Sequence, residues 1–323
     1  MNKKRNFLTL LVAFSMVTFF TACNDDDDDD MPTTTTTEST TIVDVAKENN
    51  FTILVSALER VDLDAVLMGE GPFTVFAPTD EAFASLLTEL DIDGLDKVDD
   101  ATLKEILLNH VVSGKVTSDM LSAGYVSTMA SGPQDTKISA LVDLTDGVMI
   151  NNRAKVATPD VMASNGVIHV VNKVITIPNS VDAALANPSF SILVAALTRD
   201  DLTTDFVATL SAEGPFTIFA PTDKAFMDLL AGNMDWNELS DIPVSVLESV
   251  LKYHVVAGDN VESTEITDGM MPETFEGSTI TINNTDGVKI TDANGDVATV
   301  QIPNVQTSNG IIHAIDRVII PQL

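Results

Sequence analysis

Two stretches of this chain are copies of one another. Gly71 to Phe83 reads GPFTVFAPTDEAF and Gly214 to Phe226 reads GPFTIFAPTDKAF, identical at eleven of thirteen positions. A duplication of this length constrains the architecture more than any other feature. The chain carries one domain twice, with a repeat of 143 residues at this block. That period is far too long for a solenoid, and each copy is long enough to bury its own core.

The block itself predicts a strand, a sharp corner and a capped helix. Phe73-Thr74-Val75-Phe76-Ala77 is rich in aromatic and β-branched residues and lies between Pro72 and Pro78, as expected of a short buried strand. Thr79 is placed to accept a free backbone N–H as a helix N-cap, and Asp80 and Glu81 put negative charge in the first turn, where the helix dipole favours it. Thr222 and Asp223 repeat the arrangement. Ala82, Phe83, Leu86 and Leu87 supply an apolar helix face.

The rest of each copy follows the same order. In the first, Ile42, Val45, Ala46, Ile53, Leu54, Ala57 and Leu58 recur at helical spacing, and Val61 to Met68 is expected to continue helically to Gly69. After the block, Asp100 is expected to cap a helix reaching His110. Val111-Val112, Tyr125–Ala130, Ile138–Leu144, Val148–Ile150 and Lys155–Ala157 then suggest successive strands. Asn165-Gly166 marks a hairpin turn, with closing strands over Val167–Ile177. Asn179 to Asn187 opens the second copy, and Thr203–Glu213 is expected to be a longer loop there. Helices followed by a run of strands make an α+β class.

A second duplicated motif closes each copy: Asn165-Gly166-Val167-Ile168-His169-Val170-Val171 and Asn309-Gly310-Ile311-Ile312-His313-Ala314-Ile315. With the first motif it resembles the paired signatures of the fasciclin (FAS1) family, over about residues 40–323. The resemblance implies that each domain is a β-sandwich-like wedge of about seven strands with packed helices. It also implies adhesion, the binding of a protein or glycan at a cell surface or in matrix. The family's Pro-Asp-Ile segment is matched by Pro159-Asp160-Val161, with valine for isoleucine, and in the second copy by Pro303-Asn304-Val305, without the acid. The family's tyrosine–histidine element is matched by Tyr253-His254 and only in part by Asn109-His110. Asp160, Val161, Tyr253 and His254 are thereby candidate partner-binding residues.

The N-terminus carries its own instructions. Asn2-Lys3-Lys4-Arg5 precedes an apolar run from Phe7 to Phe20, too short to span a bilayer. It ends at Cys23, the chain's one cysteine. This resembles a bacterial lipoprotein signal over residues 1–22, with Cys23 lipidated; a plain secretory signal is the alternative. Residues 23–40 hold six aspartates, Asp25–Asp30, and a threonine-rich stretch, which is expected to be a disordered tether. The acidic tract resembles the surface-export signal of Bacteroidetes-type lipoproteins. Domains are then expected over 41–178 and 179–323. An outer-membrane lipoprotein exposed at the cell surface follows, with a periplasm-facing anchor as the alternative.

Composition narrows the function. Seventeen basic residues against 48 acidic ones give a net charge of −31, which argues against nucleic acid and leaves the lipid anchor as the membrane contact. No nucleophile elbow, P-loop, dinucleotide fingerprint or zinc-protease motif occurs. The four histidines, His110, His169, His254 and His313, fall two to a copy and are read as buried structural residues, with no cofactor or metal expected. Asp292-Ala293-Asn294-Gly295-Asp296 superficially resembles a calcium loop but suits a hairpin turn. The expectation is a non-enzymatic adhesion protein; the alternative is an accessory ligand-binding lipoprotein of a nutrient-uptake system or a periplasmic scaffold.

Overall fold

The computed structural model describes residues 40–323. The lipidation site Cys23, the aspartate run and the signal segment lie outside the described residues. In the first domain α1 (Ile42–Glu48), α2 (Thr52–Arg60) and α3 (Asp64–Leu67) precede β1 (Phe73–Pro78) and α4 (Asp80–Glu89). Then come α5 (Asp100–Leu108), β2 (Val111–Ser113), β3 (Gly124–Ser131), β4 (Lys137–Asp143), β5 (Met149–Ile150), β6 (Ala154–Ala163) and β7 (Gly166–Val171). The second domain repeats the plan with α6 (Ser180–Ala186), α7 (Ser191–Leu197), α8 (Phe206–Ser211), β8 (Phe216–Pro221), α9 (Asp223–Ala231) and α10 (Val244–Tyr253). It closes with β9 (Val255–Ala257), β10 (Thr281–Asn283), β11 (Lys289–Thr291), β12 (Val297–Thr307) and β13 (Gly310–Ile315).

Each domain is built on one mixed sheet. The first has seven strands in the order β2-β1-β7-β6-β5-β4-β3, and the second has six in the order β10-β11-β12-β13-β8-β9. The duplicated block forms β1 and β8, each one strand in from an edge of its sheet. β1 runs parallel to β7 and antiparallel to β2, and β8 relates to β13 and β9 in the same way. In the first domain the two edge strands, β2 and β3, lie against each other, so the sheet curls on itself. A helical core packs on one side, with Phe83, Leu103, Leu107 and Ile168 buried there; a smaller cluster around Phe76, Ile150 and Val171 fills the curl.

The corner between β1 and α4, like that between β8 and α9, is reinforced from both sides. The Thr79 hydroxyl accepts from Ala82 N at 3.2 Å, and the Thr222 hydroxyl accepts from Ala225 N at 3.4 Å. Asp80 also reaches back to α2, where its carboxylate accepts from Ile53 N at 3.0 Å and from the Thr52 hydroxyl. Asp223 does the same with Ile192 N and Ser191. One aspartate thus begins its own helix and caps another.

Some local expectations are corrected. The helix after Leu58 does not run on to Met68: it stops at Arg60, because Asp62 takes a left-handed conformation with φ 57°, and a short new helix starts at Asp64. Asp99 rather than Asp100 caps α5, accepting from Thr102 N at 2.9 Å. Thr203–Glu213 is not a plain loop: it contains α8, capped by Asp205 and held by buried Phe206 and Leu210. The closing strand ends at Val171, and the segment to Asn179 runs without strand pairing.

The two domains are in direct contact. β4 lies against β12, Gln306 N donates to the buried Ser139 hydroxyl at 3.0 Å, and that hydroxyl donates to Asn304 O at 3.4 Å. Asn187 donates to the Tyr125 hydroxyl at 3.0 Å, and the Tyr125 ring packs on the second domain's core. Gly132 permits the close approach: a Cβ there would stand 2.9 Å from Thr307 O.

Candidate functional site: the Pro-Asp-Val segment and the histidine clamps

The Pro159-Asp160-Val161 segment sits in the middle of β6, where the pairing with β7 slips between Thr158 and Val161. Asp160 forms the bulge with φ 61°, a conformation that aspartate and asparagine tolerate better than most residues. Its carboxylate is already engaged: it accepts from Ser118 N at 2.8 Å and from the Ser118 hydroxyl. Those hydrogen bonds hold the Asp160 carboxyl below its ordinary value. Asp160 N donates to His169 Nδ1 at 3.3 Å, and His169 Nε2 donates to Val116 O at 2.9 Å. Val161 packs on the core, leaving Pro159 and Met162 as the exposed neighbours, Met162 at 52 %.

The second copy makes the same clamp without the charge. Asn304 has φ 59°, accepts from Ser263 N at 2.8 Å and donates to the Ser263 hydroxyl at 2.9 Å. Asn304 N donates to His313 Nδ1 at 3.3 Å, and His313 Nε2 donates to Val261 O at 2.9 Å. This copy of the segment is covered by the first domain through Ser139. The first domain's Met162 corresponds to Gln306, which is only 2 % exposed.

His110 and His254 do a related job with the opposite tautomer. Nδ1 donates to Ile106 O and Val250 O, both at 2.7 Å, and Nε2 accepts from Ile175 N at 2.8 Å and Ile319 N at 3.1 Å. Each ring therefore joins the end of a helix to the segment after the last strand. Burial pushes both pKa values down to about 4, so both are neutral at neutral pH. Burial also lowers that of His313. Tyr253 is fully buried with its hydroxyl donating to Thr279 O at 3.0 Å, and His254 is 3 % exposed. The four candidate partner-binding residues thus do not share one surface. Tyr253 and His254 are in the core, while Asp160 and Val161 are half-buried on β6.

Among the described residues no group of three histidine, cysteine or acidic side chains is placed to hold a metal ion. The Asp292 carboxylate is taken up by Asn294 N, Asp296 N and Ile320 N at 2.9–3.0 Å, making the Asn294-Gly295 stretch a turn between β11 and β12. No single helix among the described residues is long and apolar enough to cross a membrane.

Asn165 and Asn309 do more than turn the chain. The Asn165 side chain accepts from Ile42 N at 2.9 Å and donates to Leu67 O at 2.7 Å and Gly69 O at 2.9 Å. Asn309 ties Ser180 N to Leu210 O and Ala212 O in the same way. The backbone oxygens of both asparagines accept from the first residue of β1 and of β8, Phe73 and Phe216. A Cβ on Gly71 would stand 2.0 Å from Asn165 O, and one on Gly214 1.9 Å from Asn309 O. The identity of both asparagines in both copies was the available signal for this hub.

A curled mixed sheet with a helical cap, present twice and joined through unlike faces, defines a tandem-domain protein of α+β class. The family model described as the fasciclin domain matches residues 49–178 and 188–321. The chain belongs to the fasciclin (FAS1) domain family. It is 33 % identical to human periostin over 258 residues, covering 78 % of this chain and 29 % of periostin. It is 31 % identical to the pig transforming growth factor-beta-induced protein ig-h3 over 261 residues, covering 78 % of this chain and 35 % of that protein. Protein sll1483 of Synechocystis is 42 % identical over 138 residues, 42 % of this chain and 73 % of that protein. A solved FAS1 domain pair from the insect cell adhesion molecule fasciclin I matches 86 % of this chain and 94 % of its own, with 18 % identity and a TM-score of 0.46.

Proposed function

We propose that the chain is an adhesion protein displayed at the cell surface, anchored by lipid on Cys23 and held off the membrane by the acidic tether. The observation that carries the reading is the fasciclin match in both halves. The charge of −31 is in keeping with a protein or glycan partner rather than nucleic acid. The contact surface we favour is the first domain's 158–162 segment, where Pro159 and Met162 are exposed beside Asp160. The histidines are fully engaged by backbone groups, which favours binding over acid–base chemistry.

The test has two arms. Intact cells are treated with protease, with the native chain and with Asp25–Asp30 replaced by alanine, and adhesion to matrix-coated surfaces is scored in parallel. Cleavage of the native chain, protection of the variant and loss of adhesion after cleavage are expected. Protection of the native chain in intact cells but not in lysates would place it facing the periplasm and end the adhesion reading.

A further inference from the structure

The two copies differ at the end of the helix that follows the duplicated block. In the first domain Glu89, in the last turn of α4, is paired with both Arg153 and Lys173, the latter at 3.3 Å. These side chains close over Leu86 and Val174, leaving a cavity of only about 10 Å³. The repeat places Gly232 where Glu89 stands, and Arg317 where Lys173 stands. With the carboxylate gone the second domain is open there. A groove of about 460 Å³ lies between α9 and the segment 316–320, within the usual range for a ligand site.

Its lining has a definite chemistry. Trp236, the chain's one tryptophan, forms part of the wall. Asp228, Asp296 and Asp316 face a single cation, Arg317, which is held by Asp296 at 2.9 Å. Asp228 meets Lys224 at 2.6 Å, but that side chain is 76 % exposed and does not line the groove. Asp316 accepts from Thr299 N at 2.7 Å and Gln301 at 3.3 Å. A carboxylate has about four lone-pair sites, so each retains acceptor capacity. The lining of the groove therefore carries two negative charges in excess, one of them met by Lys224 outside it, beside an indole side chain. An indole ring attracts cations, and most strongly those that leave water.

We propose that this groove binds the ammonium group of a lysine side chain on a basic protein segment. The groove chemistry stands alone; only the protein source of the cation rests on the adhesion reading. A net charge of −31 on the whole chain draws such a segment in.

The single tryptophan makes the test local, because indole fluorescence reports on the groove directly. The purified chain is titrated with a lysine-rich peptide, the same peptide with acetylated lysines, 1,5-diaminopentane, and a neutral oligosaccharide. A saturable change is expected with the lysine peptide and the diamine, weakened by salt, and none with the acetylated peptide or the sugar. Gly232→Lys sets a tethered, competing ammonium at the wall of the groove. A Cβ at Gly232 meets nothing closer than 3.4 Å and its backbone is already helical, with φ −79°, so the variant is expected to fold. It should weaken amine binding by about tenfold or more. Asp228→Asn, on an exposed helix position, should weaken it with no loss of melting temperature. No response to either amine, an undiminished response in Gly232→Lys, or a response to the sugar overturns the proposal. A response to the diamine but not the peptide overturns the protein source. Absence of adhesion by cells carrying the native chain, with the amine response intact, would count against the adhesion reading and not against the groove.

Discussion

Lowering the pH from about 7.5 to about 5 should destabilise this protein through His110 and His254 before its carboxylates matter. In the folded chain both rings are held near pKa 4 by burial, against 6.5 in the unfolded chain. Each ring accepts a backbone N–H on Nε2, and protonation would turn that acceptor into a second donor facing it. A folded pKa below the unfolded one means that the unfolded state binds the proton first. The contribution is therefore whole above about pH 6.5 and is lost progressively down to about pH 4. The full loss is about 3.4 kcal/mol per ring, and at pH 5 about 2 kcal/mol per ring. Two rings, one per domain, make about 4 kcal/mol, a large part of a typical 5–15 kcal/mol. His313 acts in the same direction. The depressed carboxylates, Asp160 among them, lose their contributions only below their ordinary range near 3.8. Urea unfolding at both pH values, followed by circular dichroism, measures the loss. A chain with His110→Gln and His254→Gln should be weaker at neutral pH but lose much less between the two. An equal loss in that variant, or native ring resonances titrating near pH 6.5, would refute the reasoning.

Three further outcomes follow from the geometry. Gly71→Ala or Gly214→Ala drives a Cβ to 2.0 or 1.9 Å from a backbone oxygen, and should cost about 3 kcal/mol or more, visible as a collapsed melting temperature or insoluble chain. Asn165→Ala leaves Ile42 N, Leu67 O and Gly69 O without the partner they share; a loss of about 2–3 kcal/mol in chemical unfolding is expected. Asp160→Asn should leave the melting temperature nearly unchanged, because Asn304 already makes the same clamp, whereas Asp160→Ala should cost about 1–2 kcal/mol. If Asp160→Asn abolishes adhesion without altering melting, the charge itself meets the partner.

Much of the fold was legible because its signals are local and doubled. Strand β1 shows in Phe73–Ala77, the cap in Thr79, and the repeat in thirteen residues that recur nearly unchanged. The break at Asp62 was not legible, since only a left-handed backbone distinguishes it from continuing helix. The same is true of α8, whose buried Phe206 and Leu210 had seemed to lie in a loop. The candidate site was harder still. Asp160 resembled a free carboxylate because its partner, Ser118, lies 42 residues away in the chain. Tyr253 gave no sign in sequence that it faces inward, although His254 beside it already suggested a buried structural residue. The exchange of Glu89 for Gly232 is visible by aligning the copies, but its meaning depends on Arg153 and Lys173 converging on one carboxylate.

The contact between the domains joins the β4 face of one copy to the β12 face of the next. Faces of unlike kind do not pair with copies of themselves, so an open array leaves one face of each kind over, and here these are the β6 surface carrying Met162 and the β10 end of the second domain. A polypeptide of two such units is the shortest member of a linear series that extra copies could lengthen at either terminus without inventing a new joint. Free molecules are discouraged from joining that series by mutual repulsion at a charge of −31.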